Sequence, residues 1–102
     1  MENAKKELLR VLYLNAKIKC ASIQYGWDLN SQVQKTLTVN YSQKDYDEFL
    51  NSLDFTYDDE SEIQYLYGIV WLEDDTWLSR MDYDGFEWWQ HNILPSIPNE
   101  CL

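Results

Sequence analysis

The run YLYGIVWL at Tyr65–Leu72, the acidic triplet Glu73-Asp74-Asp75 and the run TWLSRMDY at Thr76–Tyr83 decide how this chain folds. The first run is apolar at nearly every position, which suits a strand covered on both faces. The second run flanks the triplet on its other side, and together they read as an antiparallel hairpin. A two-residue turn at Asp74-Asp75 sets Leu72 opposite Trp77 and Ile69 opposite Arg80. A three-residue loop instead sets Trp71 opposite Trp77, an aromatic cross-strand pair. Both readings put a hairpin at the centre of a sheet.

Upstream, Ser42–Leu53 reads as a helix. Ser42 stands where an N-cap belongs, and Asp45 three residues on makes an Asp version of the capping box. Tyr46, Phe49, Leu50 and Leu53 then follow at i, i+3, i+4 and i+7, one apolar stripe. Tyr41 and Tyr46 are placed to form a hydrophobic staple across the cap. Before it, Ala21, Ile23, Tyr25 and Trp27 alternate with Ser22, Gln24 and Gly26, and Val33–Tyr41 alternates again after the turn-forming Asp28, Asn30 and Ser31. These are two strands of a hairpin with one wet face. Asn3–Asn15 carries helical spacing at Ala4, Leu8, Val11 and Leu12, with Asn3 as cap. After Gly85, FEWWQH is either a single helical turn or an extended cover laid over the sheet. The predicted fold is one α+β domain over residues 1–102: a four-stranded antiparallel sheet in α-β-β-α-β-β order, with helices on one face and a C-terminal cap.

At 102 residues the chain holds one core, and its 45% hydrophobic and 16% aromatic content is that of a folded domain. The net charge of −10 is unevenly distributed. Residues 1–44 have seven basic side chains against three acids, leaving +4, while residues 45–102 have fifteen acids against Arg80 alone, leaving −14. Such a charge repels phosphate backbones and argues against direct nucleic-acid binding. No run reaches the ~18 apolar residues of a membrane span, and nothing reads as a signal peptide. Cys20 and Cys101, far apart and in no C-x-x-C pair, read as one small core residue and one near-terminal thiol of a cytoplasmic protein.

Chemistry-bearing patterns are sparse. His91 is the only histidine, and no G-x-S-x-G elbow or phosphate cradle is present, so no catalytic residue and no cofactor is predicted. Asp82, Asp84 and Gly85 resemble part of a calcium loop. Registering Gly85 at its sixth position, however, puts Arg80 first and His91 twelfth, where carboxylates belong, so no metal site is predicted. Asp84-Gly85 is a turn that sends the Trp-rich segment back onto the sheet.

The stretch Trp77…Arg80…Tyr83-Asp84-Gly85…Glu87-Trp88-Trp89, followed by Pro95 and Pro98, resembles the C-terminal block W-x-x-R-x-x-Y-D-G-x-E-W-W of small acidic proteins carried by phages and other mobile elements. Lys44-Asp45-Tyr46…Phe49-Leu50…Leu53-Asp54-Phe55-Thr56-Tyr57-Asp58-Asp59 is similar to their middle block. Phe86 and Asp75 stand where small residues are expected. The resemblance implies an accessory or counter-defence protein that binds and inhibits a host protein.

The acids share their half of the chain with Trp71, Trp77, Trp88, Trp89, Tyr57, Tyr65, Tyr67 and Tyr83, most of which are expected in the core. Any rings left outside, rimmed by carboxylates, suit a basic and partly apolar protein surface. The expected function is therefore non-enzymatic binding through Asp58, Asp59, Glu60, Glu62, Glu73, Asp74, Asp75 and Trp77. In its sharpest form the carboxylates stand in for phosphates and occlude a nucleic-acid-binding groove. The alternative is a small ligand-binding domain or enzyme with a pocket near Arg80, Trp88, Trp89 and His91. The protein itself is expected as a monomer or a homodimer built on an uncovered sheet face or edge.

Overall fold

Two capped helices and two tight turns set the architecture of residues 1–102 in the computed structural model. Asn3 Oδ1 accepts from the Lys6 amide at 3.0 Å and opens α1 (Ala4–Tyr13). Ser42 and Asp45 exchange the two bonds of a capping box, at 3.0 and 3.1 Å, and open α2 (Gln43–Ser52). The Tyr41 and Tyr46 rings stack 5.7 Å apart beside that cap, as a staple should. Leu8 of α1 and Phe49, Leu50 and the capping Leu53 of α2 are buried against the sheet.

That sheet has five antiparallel strands: β2 (Ile18–Tyr25), β3 (Val33–Leu37), β5 (Leu66–Leu72), β6 (Trp77–Tyr83) and β7 (Phe86–Asn92). Their spatial order is β3-β2-β5-β6-β7. Two further short strands, β1 (Glu2–Asn3) and β4 (Thr56–Tyr57), pair with each other outside it. The α+β class and the antiparallel pairing agree with the sequence, but the sheet has five strands rather than four. The fifth is Phe86–Asn92, which is neither a helical turn nor a loose cover. Asp84 (φ 51°) and Gly85 (φ 85°) form a two-residue turn of positive-φ residues that returns the chain directly beside β6, with Tyr83 opposite Phe86.

The β5–β6 connection takes the three-residue form. Trp71 faces Trp77, and Asp75 takes φ 66° at the end of the loop. At the sheet centre Gly68 (φ 133°) is obligatory, because a Cβ there would sit 2.2 Å from the Ser22 carbonyl oxygen of β2. The inward row of Ile18, Ala21, Ile23, Leu37, Leu66, Val70, Leu72, Leu78 and Trp89 joins the helices in one hydrophobic core. Tyr25, Trp27, Phe55, Tyr57 and Tyr65 form a ring cluster at one end of it, with centroids 4.5–6.0 Å apart. No helix is long and apolar enough to cross a membrane.

Candidate functional site

Both helices cover the same side of the sheet, and strand alternation therefore leaves the other side open. Its outward positions follow from the pairing register. They are Cys20, Ser22 and Gln24 of β2, Gln34 and Thr36 of β3, and Tyr67, Ile69 and Trp71 of β5. Trp77, Ser79, Met81 and Tyr83 of β6 and Phe86, Trp88, Gln90 and Asn92 of β7 complete the row. None of them is charged, in a chain whose residues are 25% charged. Lys19 sits in the bulge at the end of β2, outside the paired positions.

The β2–β3 half of this face is polar and self-satisfied. Gln24 donates to Gln34 at 2.8 Å, and Gln34 donates to Ser22 at 2.7 Å. The β5–β6–β7 half is aromatic, with Trp71 42%, Tyr83 75%, Phe86 54% and Trp88 37% exposed. The expectation that most of the C-terminal rings lie in the core is thus not met. Among them only Tyr57 and Trp89 are buried, with Tyr65 packed half-buried against the core, because alternation sends Tyr67, Trp71, Trp77, Tyr83 and Trp88 to the side that no helix covers.

The predicted carboxylates are not interleaved with these rings but stand at the two ends of the strands. Asp58, Asp59, Glu60 and Glu62 occupy the β4–β5 loop. That loop presses against the β6–β7 turn so closely that a Cβ on Gly85 would lie 3.0 Å from the Ser61 carbonyl oxygen. Asp82 and Asp84 belong to the same end. Glu73, Asp74 and Asp75 form the loop at the opposite end, beside Trp77. Seven-residue strands separate the two acidic ends by about 20 Å. Trp77 is the one predicted contact residue on the open face itself.

The residues of the alternative pocket do not converge. Trp88 lies on the open face and Trp89 on the covered one. Arg80 has a fully buried side chain in the core. Its guanidinium is 2.8 Å from Glu87 Oε1, 3.0 Å from Glu7 Oε1 and 2.5 Å from the Tyr57 hydroxyl, with the Trp89 ring 5.1 Å away. Nη1 meets Glu7 as an ion pair without hydrogen-bond alignment. Glu87 in turn accepts from the Tyr65 and Leu66 amides at 2.8 and 3.1 Å. The β5–β6 pairing covers only Ile69–Trp71, whereas β6–β7 pairs along its whole length, so the hairpin splays from β5. Glu87 fills the gap and binds the amides left there, and Arg80 neutralises it. The proximity of Tyr57 and Arg80 to Glu87 and Glu7 was not legible in the sequence: across the two-residue turn Arg80 faces Trp89, and Glu87 reaches it only on the diagonal.

Burial raises the Glu7 carboxyl, an effect only partly opposed by Arg80. Burial and then the bond to Glu7 push the Tyr57 phenol upward. For Arg80, burial acts downward, but Glu7, Tyr57 and Glu87 outweigh it and hold the guanidinium charged. The network locks α1, β4, β6, β7 and the start of β5 together, with the Arg80 and Glu87 side chains sealed from solvent and Glu7 at its margin. His91 Nε2 lies 2.9 Å from Thr76 Oγ1, whose proton goes to Asp74 Oδ1, and that bond holds the Asp74 carboxyl below its usual range. Asp74 Oδ1 also accepts from the Thr76 amide at 3.1 Å, so these bonds close the loop between β5 and β6.

A cleft of ≈ 830 Å³ lies elsewhere, between the end of α1 and the β3–α2 loop. Lys17, Lys19, Tyr41, Tyr46 and Glu73 are among its walls. Cys20 and Cys101 are both free thiols. Comparison with protein-family models, with curated proteins and with solved structures finds no match in any of the three.

Proposed function

We propose that this protein is a non-enzymatic binding module that docks another protein on the open β5–β6–β7 face. The observation that carries this reading is an exposed aromatic surface without a single charged side chain, bounded at both ends by carboxylates, on a chain of net charge −10. Apolar centre and polar rim are the anatomy of a protein interface. Exposed Trp and Tyr residues supply the anchors, and the acids steer approach to a partner with basic flanks. The arrangement favours docking over imitation of a nucleic acid. Phosphates follow one another every few ångströms along a duplex, whereas here about 20 Å of uncharged surface separates the acidic ends. An inhibitor of a host protein, as the phage-type sequence resemblance implies, fits the same surface.

The test compares proteins captured from a host lysate by the immobilised chain and by its variants. Trp71→Ser with Trp88→Ser should abolish specific capture while leaving the fold intact. Asp58→Asn, Asp59→Asn and Glu60→Gln together should slow association and flatten its salt dependence. Capture unchanged by the double Trp variant would overturn the reading.

A further inference from the structure

We infer that two copies of this chain join through β7, edge to edge and antiparallel, into one continuous ten-stranded sheet. This goes beyond the docking proposal, because it uses the border of the sheet and leaves its aromatic face free. The two-residue turn makes Tyr83 and Phe86 a hydrogen-bonded pair. The amides of Phe86, Trp88, Gln90 and Asn92 therefore point to β6, and those of Glu87, Trp89 and His91 point away from the sheet. No backbone group of another element bonds to these three; only the neighbouring Gln90 side chain touches the His91 carbonyl, at 3.2 Å.

An open edge of seven residues is a template for another strand, and proteins ordinarily blunt it with lysine, proline or a bulge. β7 has none of these. The opposite border, β3, is shorter and carries Lys35. The only ionisable carboxylate on β7, Glu87, is buried against Arg80, and so an acidic protein presents an edge free of exposed negative charge. Acidic groups that would hold two copies apart are gathered at the strand ends instead.

A second copy satisfies these free groups completely. Glu87, Trp89 and His91 are symmetric about Trp89, so a two-fold axis there pairs Glu87 with His91 of the second copy and Trp89 with its own equivalent. All three outward amides and carbonyls are then satisfied on each side. On the open face the same register lays Trp88 beside Gln90 and Phe86 beside Asn92, ring against uncharged amide, and two aromatic platforms become one surface.

Sedimentation of the full chain at increasing concentration should show a species of twice 12.3 kDa. His91→Pro removes an outward amide without touching the bonds to β6, and should return the protein to monomer with its circular dichroism retained. A second measurement stands independently of how that variant folds. In a Cys20→Ser, Cys101→Ser background, Trp88→Cys and Gln90→Cys chains should form a disulfide-linked dimer when mixed and oxidised. Neither should do so efficiently alone, since the proposed register sets position 88 beside position 90 at disulfide range. A monomeric mass at every concentration with no mixed cross-link would overturn the inference, as would a dimer that His91→Pro leaves intact and that yields no such cross-link.

Discussion

Arg80 shows how one residue can be read for chemistry in sequence and turn out to hold the fold together. A lone arginine among fifteen acids has no shortage of surface partners, yet its side chain is fully buried, on the inward side of β6. Nothing in the linear pattern announces this, because the reason is the splay of β5 from β6 and the amides of Tyr65 and Leu66 that it leaves unpaired. Glu7, from the other end of the chain, is the strained member of the group. Its carboxyl titrates above the ordinary value because burial outweighs Arg80. In the window between its unfolded value near 4.5 and its higher folded value, the folded state binds more protons than the unfolded one. Stability from this group is therefore present below pH 4.5 and lost as pH rises through that window. Glu7→Gln, always neutral and still able to accept from Tyr57, removes this loss. Urea unfolding should show the variant gaining stability relative to the wild type as pH goes from 4.5 to 7; a constant difference would contradict the burial argument.

Among the elements, α2 was fully legible and β7 was not, and the contrast is physical. α2 announces itself through local interactions, since Ser42, Asp45 and the Tyr46–Leu53 stripe all lie within one helix. Ser42→Ala should therefore cost about 1 kcal/mol. That is a fall of about 4–8 °C in the melting midpoint of a domain this size, read by thermal unfolding. Ser42→Asp, which keeps an acceptor, should recover most of it. β7 places large rings on both sides of the sheet, Trp88 outward with Met81 and Trp89 inward on Arg80, so its period-two pattern is hidden in composition. The Asp84-Gly85 turn was the usable signal for it. The loop before β6 was open between two lengths, and the Trp71–Trp77 pair selects the longer.

For the molecule as a whole, the sequence divides charge between its halves, but the fold redistributes it. The two acidic runs of the C-terminal half, Asp58–Glu62 and Glu73–Asp75, go to opposite ends of the strands, and Trp71, Trp77, Tyr83 and Trp88 go to the face between. Strand alternation in the folded sheet sets which rings face outward, and the three-dimensional return of the β4–β5 loop onto Gly85 brings Glu60 and Glu62 toward Asp84. Six carboxylates at one end, with the amino terminus 3.4 Å from Asp59 as one nearby cation, repel one another in the folded state more than in an extended chain. Glu60→Gln, Glu62→Gln and Asp84→Asn together should raise the melting midpoint at low ionic strength, by a few degrees for each ~1 kcal/mol of repulsion relieved. Asn suits the left-handed backbone of position 84 as well as Asp does, so the turn is preserved. The gain should shrink as salt approaches 1 M, where the screening length falls to about 3 Å. A stabilisation indifferent to salt would point to a local turn effect instead. A destabilisation would mean that these acids are held by contacts rather than crowded by charge.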